Sequence, residues 1–232
     1  MKSNILLLLS TAALLHRSQA TFGLDWADAF SLSDLQCFRS HGTDFVIVRA
    51  WHSYGAFDTN GPVQVSLAHK AGVPNVDVYA FPCRSMSAAD QIKGTVDGLK
   101  NSQYGMLWLD IEDNPSHNCG WGVDFASNCQ YMEELVQAIR DNGRVPGIYA
   151  SHYMWNRIFG SADACQKFTD VPLWYAHYDS KQTFSDYSAL PFGGWTKPAI
   201  KQFTDGQQAK ICGIVVDQDW YPSSADEEQD FE

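Results

Sequence analysis

Two carboxylates stand two residues apart at the end of an apolar run, in Leu109-Asp110-Ile111-Glu112-Asp113. On a strand, residues i and i+2 face the same side. Asp110 and Glu112 therefore point together, while Ile111 points away into packing. Two carboxyls held close resist joint ionisation, so one of them keeps a proton near neutral pH. That proton is what a glycosidic leaving oxygen needs when its bond breaks. Asp25 and Asp217, at the ends of two other runs, are candidates to join the pair as catalytic acids.

Something must bring these acids together. Apolar runs of four to eight residues recur at Phe22–Trp26, Phe45–Trp51, Val76–Phe81, Met106–Ile111, Val145–Ala150, Val171–Tyr178, Ala199–Phe203 and, shorter, Ile214–Val216. They are rich in β-branched and aromatic residues, as buried strands are. Helical segments alternate with the early runs. The first, from Ser31 or Ser33 to Ser40, is stopped by Gly42, and Val63–Ala71 is stopped by Gly72. Ala88–Lys100 follows, and Cys129–Asn142 is stopped by Gly143. This alternation predicts βαβ units and a closed, TIM-like β/α barrel. Residues 179–197 hold Pro191, Gly193 and Gly194 and no good helix. Too few residues separate Phe203 from Ile214 for a parallel crossover. The barrel is therefore expected to be modified and helix-poor in its last strands, which loops or a hairpin would join. An open doubly wound sheet is the runner-up. It would want a Gly-rich phosphate turn after an early strand, which this sequence lacks.

Chemistry in such a barrel gathers at the carboxyl ends of the strands. Beside the four acids, those ends carry Arg49, Tyr79, Tyr149, Trp174, Tyr178 and Gln202, the candidate substrate-binding residues. Rings for sugar faces and acids for bond cleavage make a sugar-processing mouth. His52, His117, His152 and His177 lack metal-ligand spacing, so no metal or cofactor is expected. There is no Gly-x-Ser-x-Gly elbow.

The 232 residues include 16 Lys+Arg and 27 Asp+Glu, a formal net charge of −11. A chain 45% hydrophobic and 13% aromatic can bury a core. The acid excess excludes a phosphate-binding role toward nucleic acid and a polybasic membrane role. Residues 1–20 read as a secretory signal, with Lys2, a short apolar stretch and Ser18-Gln19-Ala20. Residues 223–232 read as a solvated acidic tail, leaving 21–222 as the catalytic barrel. The protein is expected to be secreted, or to reside in the lumen of an endomembrane or phagosomal compartment, and to act as a monomer. An oxidising compartment would oxidise the six cysteines, 37, 83, 119, 129, 165 and 212, into three disulfides. Cys119 and Cys129 share one Gly/Asn/Ser-rich loop, which favours pairing them. Cys37–Cys83 and Cys165–Cys212 follow as the sequential arrangement.

The ordered motifs resemble the family 25 glycoside hydrolases, the muramidase-type lysozymes, over most of residues 22–221. Those motifs are Gly23-Leu24-Asp25, Phe45-Val46-Ile47-Val48-Arg49-Ala50, Asp58, Ala68-His69-Lys70-Ala71-Gly72, Asp110-x-Glu112 and Ile148-Tyr149-Ala150-Ser151. Leu173-Trp174-Tyr175-Ala176-His177-Tyr178, Gln202-Phe203-Thr204 and Val216-Asp217-Gln218-Asp219-Trp220-Tyr221 complete the series. The cysteines and Phe81-Pro82-Cys83 are similar to a secreted eukaryotic branch. The resemblance implies hydrolysis of the β-1,4 bond between N-acetylmuramic acid and N-acetylglucosamine in bacterial peptidoglycan. It implies Glu112 as general acid, with Asp110 tuning Glu112 or orienting the acetamido group. Asp25 and Asp217 would complete an acidic floor, and Tyr149, Trp174 and Tyr178 a sugar groove. The chain departs from the family pattern at Ala27, at Ala80 and at Asp219, where Asn is usual.

Two other readings remain at this point. A chitinase also ends its fourth strand in Asp-x-Glu, but within a longer acidic run, and here Gly105 and Trp108 stand where that run has Asp. A cell-wall lectin on an inactive barrel would not need the intact acid pair. The surface acids would repel an anionic wall at neutral pH, so activity should favour mildly acidic conditions.

Overall fold

The computed structural model describes residues 20–206 and 210–222. The segment expected to be a secretory signal (1–20), except for residue 20, and the expected acidic tail (223–232) lie outside the described residues. The chain runs β1 (Thr21–Trp26), α1 (Leu32–Ser40), β2 (Thr43–His52), a short β3 (Ala56–Phe57), α2 (Gly61–Lys70) and β4 (Asn75–Ala80). It continues through α3 (Ala88–Gly98), β5 (Met106–Asp110), α4 (Phe125–Asp141), β6 (Val145–Ala150), α5 (His152–Phe159) and β7 (Leu173–Ala176). One 3-10 turn (Tyr187–Ala189), β8 (Ile200–Thr204), β9 (Lys210–Ile211), β10 (Ile214–Val215) and β11 (Asp217–Tyr221) follow.

Eight strands close into a barrel in the order β1-β11-β8-β7-β6-β5-β4-β2, with β2 returning to β1 and β3 extending the end of β2. From β1 through β2 and β4 to β8, neighbours are parallel. The last strand, β11, runs antiparallel to both β1 and β8. The modified barrel is the fold expected from the sequence, with two corrections. The eighth strand is Asp217–Tyr221 and not Ile214–Val216, whose Ile214 pairs with Ile211 in a side hairpin. The apolar signal misleads because β11 turns Asp217, Asp219 and Tyr221 into the barrel and leaves Trp220 to pack outward. The short connection after β8 cannot cross over, so the chain reverses there. The second correction is α5, which the sequence reading passed over. Ser151 caps its N-terminus by accepting from the Met154 N–H, and Gly160, at φ 92°, ends it.

The core has two layers, set by strand parity. Leu24, Val46, Leu107, Leu109 and Ile111 point outward against the buried faces of the helices, among them Ile92, Leu135, Ile139 and Trp155. Phe45, Ile47, Trp108, Tyr149, Trp174 and Ile200 fill the barrel itself. Gly147 on β6 makes room for one of these rings: a Cβ there would lie 2.2 Å from Trp108.

The six cysteines form three disulfides among themselves, but not in the expected pairs. They join Cys37–Cys212, Cys83–Cys119 and Cys129–Cys165. The shared-loop argument for Cys119–Cys129 fails because α4 begins between them. Cys129 lies on the helix and meets Cys165 in the segment after α5. Cys119 stays in the preceding loop, whose carbonyl accepts from the Arg84 N–H beside Cys83. The sequential pairs Cys37–Cys83 and Cys165–Cys212 fail with it. Cys37 on α1 instead reaches Cys212 in the β9–β10 hairpin, a separation of 175 residues. Among the described residues, no helix is long and apolar enough to cross a membrane.

Candidate active site

Asp25, Tyr79, Asp110, Glu112, Tyr149, Trp174, Tyr178, Gln202 and Asp217 line one cavity of about 140 Å³ at the carboxyl ends of the parallel strands. Nine of the ten candidate catalytic and binding residues are thus brought together. Arg49, the tenth, sits on the neighbouring strand opposite Tyr79 and does not line the cavity. Its Nε donates to Asp58 Oδ2 at 2.8 Å, and His52 approaches the same oxygen at 3.5 Å.

Strand parity places each acid. At the end of β5, Leu109 and, just beyond the strand, Ile111 are fully buried in the outer layer. That turns Asp110 and Glu112 into the mouth side by side. Asp217 opens β11, and the reversal of that strand puts its first residue at the same mouth, paired in register with Asp25 on β1. A parallel eighth strand would have carried this acid to the far end. The backbone N–H of Gly206 donates to Asp217 Oδ1 and fixes its carboxylate.

Burial sets the electrostatics. Asp110 is 8% exposed and is held well above the ordinary carboxylate range by desolvation, reinforced by the charge of Glu112. Glu112 is raised as well, first by burial, with the hydrogen bond from Asp110 opposing the shift and Asp217 and Asp113 adding like charge. Asp217 is raised chiefly by burial, against the Gly206 hydrogen bond. The Asp110–Glu112 pair therefore holds a proton in a range where isolated carboxyls have lost theirs.

The wall is a hydrogen-bonded relay. Tyr149 and Tyr178 donate to Gln202 Oε1 at 2.6 and 2.8 Å, and Gln202 Nε2 donates to Asp25 Oδ2 at 2.7 Å. Gln202 is thus fixed in one amide orientation and presents its donor to an acid. The ring of Tyr149 leans on Trp174 at 4.4 Å between centroids, and Trp174 meets Trp108 edge-on at 5.8 Å.

Two features of the site escaped the sequence reading, and a third, Asp219, was noted there only as a departure from the family pattern. Trp121 Nε1 donates to the Glu112 carbonyl at 2.8 Å and anchors the strand end that carries the acid. Asn114 donates to the carbonyls of Ser53 and Pro82, clasping the loops after β2 and β4 to the loop after Glu112. Asp219 is fully buried one pleat below Asp217 and accepts from Trp174 Nε1 at 2.8 Å. Only the alternation of acids in Asp217-x-Asp219 could have signalled the last. Nothing in local spacing marks the other two.

Comparison with known proteins places this geometry. The family model described as Lysozyme-like protein 1 matches residues 16–203. Probable GH family 25 lysozyme 2 of Dictyostelium discoideum is 41% identical over 221 residues, covering 94% of this chain and 99% of that protein. Lysozyme-like protein 5 of Caenorhabditis elegans is 37% identical, covering 88% and 93%. Among solved structures, a family GH25 lysozyme from Aspergillus fumigatus shares the fold with a TM-score of 0.69. It is 23% identical and covers 90% of this chain and 97% of that one.

Proposed function

The chain belongs to family 25 of the glycoside hydrolases, the lysozymes, and from that premise we propose that it is a secreted muramidase. Its substrate is bacterial peptidoglycan, cut at the β-1,4 bond between N-acetylmuramic acid and N-acetylglucosamine. The observation that carries the reading is the buried Asp110–Glu112 pair, open to the same cavity as Asp25 and Asp217. Three disulfides fit an oxidising, extracellular or lumenal setting.

Glu112 is the general acid. It is less deeply buried than Asp110 and lies at the open end of the strand, where a leaving oxygen would arrive. Asp110 shares a proton with Glu112, and the water that adds to the sugar carbon once the leaving group has gone returns its proton to the pair, so that Glu112 is protonated again for the next turnover. As the glycosidic C–O bond breaks, positive charge develops on the sugar, and Asp25 and Asp217 stabilise it across the cavity. Tyr149, Tyr178 and Trp174 form the wall against which a pyranose ring packs, and Gln202 ties that wall to Asp25.

The test is release of reducing ends from purified peptidoglycan, with the products read by mass spectrometry. New reducing ends on N-acetylmuramic acid are expected. Reducing ends on N-acetylglucosamine would refute the bond assignment. Binding to walls without any cleavage would refute the enzyme.

A further inference from the structure

Beneath the acids that face the cavity lies Asp219, a carboxyl that the proposed reaction does not use, paired with Asp25, which it does. Register places Asp219 opposite Gly23 on β1, and Asp217 opposite Asp25. Asp25 and Asp219 are therefore diagonal neighbours on the inner face of the barrel, one pleat apart. Asp219 is 0% exposed and Asp25 6%. Each has one oxygen engaged by a fixed donor: Asp219 Oδ1 by the Trp174 indole, Asp25 Oδ2 by Gln202. Asp219 Oδ2 is buried and meets no donor among the described residues. The side chain it does meet is Asp25.

The basic groups of the adjoining strands are turned elsewhere. Arg49 on β2 is paired with Asp58. Lys201 on β8 points out of the barrel toward Asp179 and Asp186. The other groups facing the pair are Asp217 on β11, Asp110 and Glu112 at the end of β5 across the cavity, and the neutral Trp174, Gln202, Tyr79, Tyr149 and Tyr178. Two bare carboxylates without a cation in this volume would be strongly unfavourable. One proton resolves both defects. It neutralises a charge and turns the donor-less oxygen of Asp219 into an O–H with Asp25 as acceptor.

We infer that Asp219 is a neutral positioning acid: it keeps its proton, donates to Asp25 and accepts from Trp174, and so locks the floor acid and the sugar-stacking indole in one arrangement. Burial is the largest cause on both groups and raises each carboxyl well above its ordinary range; Asp217 adds like charge to both and Asp219 adds it to Asp25, while hydrogen bonds with Trp174 and Asp25 act the other way on Asp219. In the muramidase reading, on which the activity arm below rests, Asp25 must be anionic and fixed. A protonated Asp219 leaves it so.

The experiment compares wild type with Asp219→Asn and Asp219→Leu. Asn reproduces the neutral acid at every pH, with an N–H toward Asp25 and a C=O toward Trp174. Leu reproduces neither contact. A native state that holds a proton the unfolded chain has released loses stability as pH rises toward the folded pKa. Between about pH 5.5 and 8, wild-type urea-unfolding stability should fall with pH by about one proton more than that of Asp219→Asn. This arm needs no substrate and stands or falls independently of the function. In the activity arm, Asp219→Asn should extend the alkaline limb of the pH profile upward. Asp219→Leu should lose at least about tenfold in kcat at every pH. Equal slopes and equal alkaline limbs in wild type and Asp219→Asn would overturn the inference. If Asp219→Asn does not fold, the Asp219 carboxyl carbon of wild type is titrated by ¹³C NMR. Ionisation in the ordinary carboxylate range would overturn it equally.

Discussion

Glu112 has to be protonated when substrate arrives and must recover that proton afterwards, and the residues around it decide over what pH range it can. Burial is the main cause of its raised pKa; the Asp110 hydrogen bond pulls the other way, and Asp217 and Asp113 push it up. The acid form is present below that raised pKa and is lost as pH rises through it. Activity should therefore hold through mildly acidic pH and decline toward alkaline pH, and a profile on soluble glycan fragments checks this. A maximum above neutrality would contradict the assignment. Replacing Glu112 with Gln keeps the shape and removes the proton, which should cost about 10²–10⁴-fold in kcat, the usual contribution of general acid catalysis. Full retention of activity would exclude Glu112 as the acid. This part of the site was legible in sequence because parity alone decides it. With Leu109 and Ile111 outward, Asp110 and Glu112 can only face inward. Asp219 was harder to read, since an acid in the sequence gives no sign that it will be buried without a cation.

At the scale of elements, the segment after β7 is the least regular part of the barrel and the one that delivers Tyr178. It is held from behind by Lys201, whose fully buried ammonium reaches Asp179 at 2.9 Å, Asp186 at 3.0 Å and the Thr183 carbonyl at 3.2 Å. Asp186 also accepts from Tyr175 at 2.8 Å and meets His177. Burial alone would raise Asp186, but hydrogen bonds from His177, Tyr175 and Lys201 hold it below its ordinary range. Removing Lys201 leaves two carboxylates facing each other without their cation. Lys201→Met should cost about 3 kcal/mol in urea unfolding, the lower end for breaking a buried pair. It should also raise KM more than it lowers kcat, because it disturbs the sugar wall and not the acid. An unchanged KM would show that the network carries no positioning role. The Cys37–Cys212 disulfide does similar work for the β9–β10 hairpin that precedes β11. The Cys37→Ser/Cys212→Ser double variant should lose about 2–5 kcal/mol, measured by thermal or urea unfolding. The pairing was not legible because it depends on which face of α1 and of the hairpin meet, and linear spacing does not encode that. The reversal of β11 was half legible. Too few residues followed β8 for a crossover, but the inward acids disguised the strand they lay on.

At the scale of the whole molecule, the excess of acids has two separate consequences that push activity in the same direction. The chain carries a formal net charge of −11, and bacterial walls are anionic, so approach to an intact wall at neutral pH is opposed by long-range repulsion. Lowering the pH reduces that repulsion and also protonates the buried acids, so a pH profile on whole walls mixes the two effects. Salt separates them. The Debye length falls from about 30 Å at 0.01 M to about 8 Å at 0.15 M ionic strength, which screens surface charges far more than buried ones. Clearing of intact walls at neutral pH should therefore rise across that range, while turnover of a short, uncharged glycan fragment should stay nearly constant. The pH optimum on walls should move upward with salt toward the optimum on the fragment, which reports the buried acids of the site without the surface charge. A rate on walls that falls steadily with added salt would mean that attraction leads the encounter, and that the acids outside the cleft are arranged to spare a wall-facing surface from the net charge.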